Sequence, residues 1–214
     1  MKTPVLTIDN KDPESDLIAQ AASVLRKGGV IGYPTETVYG IGCSTFKDQA
    51  VNRIFDLKHR DKSKAMIVIA ADIIQISDIV DEIPESAERL MENFWPGPLT
   101  IVFNSSALIK DFEFGKSKTI AVRIPDNPIC LSLLKFTGFP LVSTSANISG
   151  QPSAITAKEV LNYFGDQLDL VVDGGTTPST NPSTVIDITR TPARIIREGA
   201  ITPLEISTVI DLGY

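Results

Sequence analysis

The chain has 214 residues, 43% of them hydrophobic, and a mean hydropathy of +0.10, enough apolar mass for a sizeable core and too much for a disordered chain. A formal charge of −6 and a pI near 4.9 exclude a protein that coats nucleic acid through a general positive field, so any anion site has to be local. The longest apolar run, residues 65–71, falls far short of the roughly 18 residues of a membrane helix, and the opening Met1-Lys2-Thr3-Pro4 with Asp9 and Asp12 close behind does not read as a signal peptide, which makes the cytoplasm the expected compartment.

Asp12-Pro13 supplies an N-cap and a first-turn proline, after which Leu17, Ile18, Ala21, Val24 and Leu25 recur at helical spacing until Gly28-Gly29. Residues 30–33 form a short apolar run closed by Pro34, and a mixed run through Val38 and Ile41 follows; both fit buried strands. Val51, Ile54, Phe55 and Leu57 mark a second helix ending near His59. The next strand is expected over 66–70, with helical stretches over 73–80 and 84–94 behind it. Trp95-Pro96-Gly97-Pro98 cannot continue a helix and delivers the chain into a strand over 99–103. Residues 104–117 read as a polar surface loop. Strands over 119–124, 141–145 and 170–173 then alternate with helices over 128–136 and 156–164, an order of the α/β kind. The runs 184–188 and 194–197 leave no room for a helix between them, so part of the sheet should be antiparallel. Thr202-Pro203-Leu204-Glu205 is a capping box opening a short terminal helix. With no repeat, linker or low-complexity tract, one domain is expected over 1–214, its motif-bearing core over about 14–201.

Two cysteines, Cys43 and Cys130, are too few for a disulfide framework or a four-cysteine zinc site and read as buried thiols. The single histidine, His59, argues against most metal centres, and its neighbours Lys58 and Arg60 disfavour the imidazolium of a Ser-His-Asp triad. Any chemistry should therefore rest on positioning and electrostatics. Neither the P-loop pattern nor the third glycine of G-x-G-x-x-G is present around Gly40-Ile41-Gly42. At the ends of the β-like runs, however, hydroxyls, amides and cations gather: residues 35–37, Arg123, residues 143–147, Ser183-Thr184 and Arg197. Strand ends are where ligands bind in open α/β sheets, although Ser, Thr and Asn also build ordinary turns and caps. Lys58, Arg60, Lys62 and Lys64 against Asp61 make a local charge of +3 in a chain of −6. That run fits either a solvated face or a polyphosphate grip, bidentate for Arg and a point charge for Lys. Residues 141–150 place four hydroxyls and an amide directly after a buried strand, a density that is costly unless something binds there. G-x-S-x-G is absent, so Ser145 reads as a hydroxyl donor to phosphate or substrate and not as a nucleophile.

Tyr33-Pro-Thr-Glu-Thr-Val-Tyr-Gly40, the Lys58-x-Arg60 pair, Trp95-Pro-Gly-Pro98, Ala121-Val-Arg-Ile124, Ser143-Thr-Ser-Ala-Asn-Ile-Ser-Gly150 and Pro182-Ser-Thr184 together resemble the YrdC-like threonylcarbamoyl-adenylate synthases, over about residues 30–201. The resemblance implies a single-domain twisted open mixed sheet flanked by helices, with a large positively charged cavity. It implies a nucleotidyltransferase that turns L-threonine, bicarbonate and ATP into threonylcarbamoyl-AMP and pyrophosphate, for N6-threonylcarbamoyladenosine at position 37 of tRNA. Carried over by position, Thr37, Arg123, Ser143 and Ser183 form the threonine pocket, and Arg60, Lys64, Thr119, Ser145, Ser153 and Arg197 the nucleotide side. Lys58 and Asn147, with Arg60 and Ser145, complete the K-x-R and S-x-N signatures and serve the phosphates or the carbamate in catalysis. Magnesium accompanies the ATP, with no organic cofactor and no metal site of the protein's own. A functional link to the complex that transfers threonylcarbamoyl to tRNA follows, while direct RNA contact does not. The sequence departs from the family's pattern at Asp61, Lys64, Ala65 and Ile69, and with its last residue at Tyr214 the further C-terminal domain of longer members is not expected. The alternative is a non-catalytic or differently active protein of the same fold that binds RNA or nucleotide; the zinc-finger cysteines and acylphosphatase segment of hydrogenase-maturation carbamoyltransferases are missing.

Overall fold

The computed structural model describes residues 2–62, 66–109, 111–112 and 117–213. Short apolar runs pair into one mixed sheet of ten strands. In chain order these are β1 (Val5–Thr7), β2 (Ile31–Tyr33), β3 (Gly40–Ser44), β4 (Ile67–Ile69), β5 (Leu99–Asn104), β6 (Thr119–Arg123), β7 (Leu141–Ser145), β8 (Leu170–Asp173), β9 (Thr184–Asp187) and β10 (Arg194–Arg197). Across the sheet they run β1-β8-β2-β3-β7-β4-β6-β5-β9-β10. The pairs β1–β8, β2–β8, β4–β6 and β5–β9 are parallel, and the other five pairs, the closing β9–β10 hairpin included, are antiparallel.

Among the described residues seven helices flank the sheet: α1 (Ser15–Arg26), α2 (Asp48–Leu57), α3 (Ile73–Ser77), α4 (Glu85–Phe94), α5 (Pro128–Thr137), α6 (Ala157–Phe164) and α7 (Pro203–Ser207). Alternation along the strands decides what each face buries. Ile41, Cys43, Val68, Ile101, Val122, Val142, Val171 and Ile186 point to one face and pack with α2, α4 and α6 in the larger apolar cluster. On the opposite face Ile31, Leu141, Leu170 and Val172 pack with Ile18, Ala21 and Leu25 of α1 and Ile129, Cys130, Leu133 and Leu134 of α5. The helices α1 and α5 lie against each other and α1 reaches β2, β3 and β8, so on this face helical cover is concentrated over that half of the sheet.

Several local expectations change. Helix α1 begins at Ser15, with Glu14 at the N-cap position and no side-chain cap. Glu14 Oε2 instead accepts the Asp9 N–H at 3.1 Å, so Asp12-Pro13 belongs to the turn before the helix. Asn127 does cap α5, accepting from the Cys130 N–H with Pro128 at the first turn, and Gly138 ends the helix at φ 78°. The expected capping box of α7 is present, Thr202 and Glu205 satisfying each other's backbone. Residues 104–117 are not all surface loop: Ala107–Ile109 form a 3-10 turn and Ile109 is buried. The sequence reading also missed β1, three residues with two exposed side chains and no apolar period to betray them.

Candidate active site

Over the other half of the sheet, on the face that α1 and α5 cover elsewhere, lies a cavity of about 340 Å³. Ser143, Ile67, Ala121 and Val102 line it, one beside the next across β7, β4, β6 and β5. Their sequence neighbours Val142, Val68, Val122 and Ile101 point the other way into the core. Around the floor stand Thr37, Arg60, Thr119, Arg123, Ser145, Ser183 and Arg197, so among the described residues three arginines and no carboxylate line this cavity.

Arg123, at the end of β6, is 4% exposed and held from three sides. Its Nε donates to Gly97 O at 3.0 Å, placed there by the Trp95-Pro96-Gly97-Pro98 turn. Both Nη atoms reach Thr37 Oγ1 at 3.3 Å, and Nη2 donates to Glu36 Oε1. Thr35 donates to Val38 O at 2.7 Å and lies 2.9 Å from Thr37 Oγ1. The Thr37 hydroxyl therefore spends its hydrogen on Thr35 and its lone pairs on Arg123. Thr37 thus orients the guanidinium, and Glu36, to which the sequence reading gave no role, neutralises it. Glu36 Oε2 is buried with no hydrogen-bond partner among the described residues.

The C-terminus of α2 explains how Lys58 and Arg60 diverge. His59 takes a left-handed φ of 49°, and the N–H groups of His59 and Arg60 bond back to Asp56 O and Phe55 O at 3.1 and 2.9 Å. This closing motif reverses the chain at His59. Arg60 therefore lines the cavity, whereas Lys58 turns inward and is 1% exposed. The Lys58 ammonium donates to Ser145 O, to Asn147 O at 2.7 Å and to Asn147 Oδ1 at 3.2 Å. Burial, and then the Arg60 guanidinium, pull it down to about 7. Three acceptors for three N–H bonds make Lys58 a clamp on the loop after β7, whereas the sequence resemblance gives it to the phosphates or the carbamate.

Asn147 is equally engaged: its amide donates to Ile148 O at 3.1 Å and Gln151 O at 2.6 Å, and its Oδ1 also accepts from Ser145 Oγ at 2.6 Å. Ser145 thus offers the cavity lone pairs and not a hydrogen, which reverses the donor role expected for it. At the far wall Arg197 donates through Nε and Nη2 to Ser183 O at 3.1 and 2.8 Å and through Nη2 to Ser183 Oγ at 3.0 Å. Thr100 of β5 supports the same hydroxyl at 2.8 Å. Burial lowers the Arg60 and Arg197 guanidiniums from their ordinary range, and for Arg197 the charges of Arg123 and then Arg60 add to it. Arg197 thus feels the positive charge of both other guanidiniums, which favours an anion beside it.

Of the residues expected from the sequence, eight come together in this cavity: Thr37, Arg60, Thr119, Arg123, Ser143, Ser145, Ser183 and Arg197. Lys58 and Asn147 stand behind it, bonded to Ser145. Ser153 lines a separate depression with Pro152, Ile155, Glu159, Asn162, Tyr163 and Thr180. Lys64 lies outside the described residues. Among the described residues no group of three or more His, Cys, Asp or Glu could hold a metal ion, and no helix is long and apolar enough to cross a membrane.

The Sua5_yciO_yrdC family model, described as telomere recombination, matches residues 23–199. The threonylcarbamoyl-AMP synthase of Pyrococcus abyssi is 40% identical over 190 residues, 89% of this chain and 56% of that protein. That of Bacillus subtilis is 38% identical over 205 residues, 95% of this chain and 58% of the relative. The chain thus spans little more than half the length of these two curated relatives, but the synthase of Vibrio cholerae, 40% identical over 184 residues, is covered to 97%. Among solved structures, P. abyssi Sua5 complexed with L-threonine superposes with a TM-score of 0.93 at 37% identity, over 99% of this chain and 63% of that one. Escherichia coli YciO gives a TM-score of 0.85 at 31% identity, over 94% and 97%.

Proposed function

Because the chain belongs to the Sua5–YciO–YrdC family, we propose that it is a nucleotidyltransferase joining L-threonine, bicarbonate and ATP into threonylcarbamoyl-AMP. The observation that carries this reading is the convergence of Arg60, Arg123 and Arg197 on one cavity in a chain whose net charge is −6. A site built this way selects a multiply charged anion together with a carboxylate.

In this reading the carboxylate of threonine meets Arg123, with Ser143 and Ser183 beside it. Bicarbonate loses hydroxide to give carbon dioxide, the neutral amine of threonine forms a bond to its carbon, and the proton that leaves to give the carbamate combines with that hydroxide as water. A carbamate oxygen then forms a bond to the α-phosphorus as the bond to the bridging oxygen breaks, and pyrophosphate departs with that electron pair. Arg60 and Arg197 would face the charge developing on pyrophosphate, Thr119 and Lys64 completing the nucleotide side, with Ser153 further out. Ser145, as an acceptor, suits a hydroxyl or amino group of the nucleotide better than a phosphate oxygen. Lys58 and Asn147 act by holding Ser145 in place. Magnesium enters with ATP as part of that substrate, bound by phosphate oxygens and water. Nothing in this sequence of steps requires a histidine; alignment and fixed cations supply the catalysis. The product would pass in the cytoplasm to the complex that transfers threonylcarbamoyl to tRNA.

The test is pyrophosphate release from ATP by the purified chain, with L-threonine and bicarbonate each omitted in turn. Release that requires both is expected. Release that is equal without threonine overturns the reading and leaves a nucleotide- or RNA-binding protein of the same fold.

A further inference from the structure

The Tyr33 side chain is fully buried, yet it carries a hydroxyl that the proposed reaction does not use. Its position is specific. Tyr33 on β2 pairs with Gly40 on β3, and Gly42 pairs with Ser143 on β7, so the tyrosine must reach across a whole strand to touch the serine. It does so because β3 has no side chains there. A Cβ at Gly42 would lie 2.6 Å from the Tyr33 hydroxyl, and one at Gly40 would lie 3.3 Å from both the Tyr33 ring and Ser143 Oγ. Through this slot the phenol donates to Ser143 Oγ at 2.7 Å.

The direction of that bond matters. A phenol is a stronger donor and a weaker acceptor than an aliphatic hydroxyl, and Ser143 Oγ is the one hydrogen-bond partner of the phenol among the described residues. Burial holds proton loss from Tyr33 well above its ordinary range, so the donor is always present. A serine hydroxyl has one hydrogen and two lone pairs. With a lone pair taken by Tyr33 and no acceptor for its own hydrogen among the described residues, Ser143 is left facing the cavity as a donor.

We propose that Tyr33 is a positioning residue for the amino-acid half of the reaction: reaching over Gly40 and Gly42, its phenol fixes Ser143 as a one-way hydrogen-bond donor to a carboxylate or carbamate oxygen of the substrate. This rests on the synthase reading above. The cavity floor then has a polarity, since Ser143 gives a hydrogen bond where Ser145, two residues along the same strand, can only receive one.

Tyr33→Phe keeps the ring and removes the donor. Threonine-dependent pyrophosphate release by the wild-type chain comes first, because its absence removes the synthase reading whatever the variant does. Given that activity, Tyr33→Phe should raise the KM for threonine roughly 3- to 10-fold, the scale of one hydrogen bond, while the KM for ATP stays put. Calorimetric titration with threonine should show the same loss of affinity. In a Ser143→Ala background the added Tyr33→Phe change should have no further effect on the KM for threonine. An unchanged KM in Tyr33→Phe, an equal rise in the KM for ATP, or a full effect that persists without Ser143 overturns the assignment. Should Tyr33→Phe not fold, Ser143→Ala alone reads the bond from its other end: it must raise the KM for threonine at least as far, and no change in it overturns the assignment too.

Discussion

Arg123→Ala removes two things at once, and the structure says how to separate them. The guanidinium neutralises Glu36, and the two side chains are only 5% and 14% exposed. Deleting one partner of a buried pair strands the other charge, at about 3 to 5 kcal/mol. Glu36 has nowhere else to turn, since its Oε2 already lacks a hydrogen-bond partner among the described residues. For a chain of this size the loss corresponds to a fall in Tm of roughly 6 to 20 °C. Substrate binding should suffer separately, because a charge-assisted hydrogen bond to the threonine carboxylate is worth about 1.5 to 3 kcal/mol, or roughly 10- to 150-fold in affinity. The double variant Glu36→Gln/Arg123→Ala isolates the terms. Neutralising the stranded acid should restore most of the Tm and none of the affinity for threonine, read by thermal unfolding and by calorimetric titration. ATP-analogue binding should change less than threonine binding in both variants. A single variant as stable as wild type, or a double variant that regains threonine, refutes this account of Arg123.

The placement of Arg60 and Arg197 around one cavity predicts that pyrophosphate at about 100 times the wild-type Kd stabilises the protein by about 2.7 kcal/mol, a rise of roughly 5 to 11 °C in Tm; the same rise at that same concentration in an Arg60→Ala/Arg197→Ala variant would falsify their placement around the anion. Lys58 gives a pH signature. Its buried ammonium is pulled down to about 7, while an unfolded lysine titrates near about 10.4. Between these values the unfolded chain holds a proton that the folded chain has lost, so stability rises with pH across the window; below about 7 both states are charged and the full cost of burial is present. Wild type should therefore gain on Lys58→Met between about pH 7 and about pH 10, by at most about 1.4 kcal/mol per pH unit, in denaturant titrations of both proteins. A difference flat with pH would mean that the oxygens of Ser145 and Asn147 keep Lys58 charged throughout.

Most of the architecture is legible in the sequence because local rules and tertiary packing agree there. The runs at 99–103, 141–145 and 170–173 match strands to within a residue, and the capping box at Thr202 is local chemistry that needs no partner. The site was legible as a set of residue types and not as a set of contacts. Lys58 and Arg60 read alike as neighbours in a basic run; only the left-handed His59 sends one inward and the other to the cavity. Glu36 stands in the same motif as Thr37, but its partner is 87 residues away, and no spacing rule spans that distance. Tyr33 looks like one more apolar residue closing a buried run, since what distinguishes it is the pair of glycines on the next strand. From the sequence Ser145 reads as a donor because a hydroxyl can be either; its direction is fixed by Asn147, two residues on.

Both cysteines are buried, and they sit on opposite faces of the sheet: Cys43 on β3 packs with α2 and α6, while Cys130 on α5 packs with α1. Burial pushes the Cys43 thiol up to about 12 and raises Cys130 as well, which leaves both almost without thiolate and silent to alkylating reagents in the folded state. Each thiol is therefore a built-in reporter for one layer. Because labelling requires the layer to open, comparing alkylation rates at the two positions measures whether the helices over the two faces breathe together or one at a time, without any label having to be introduced.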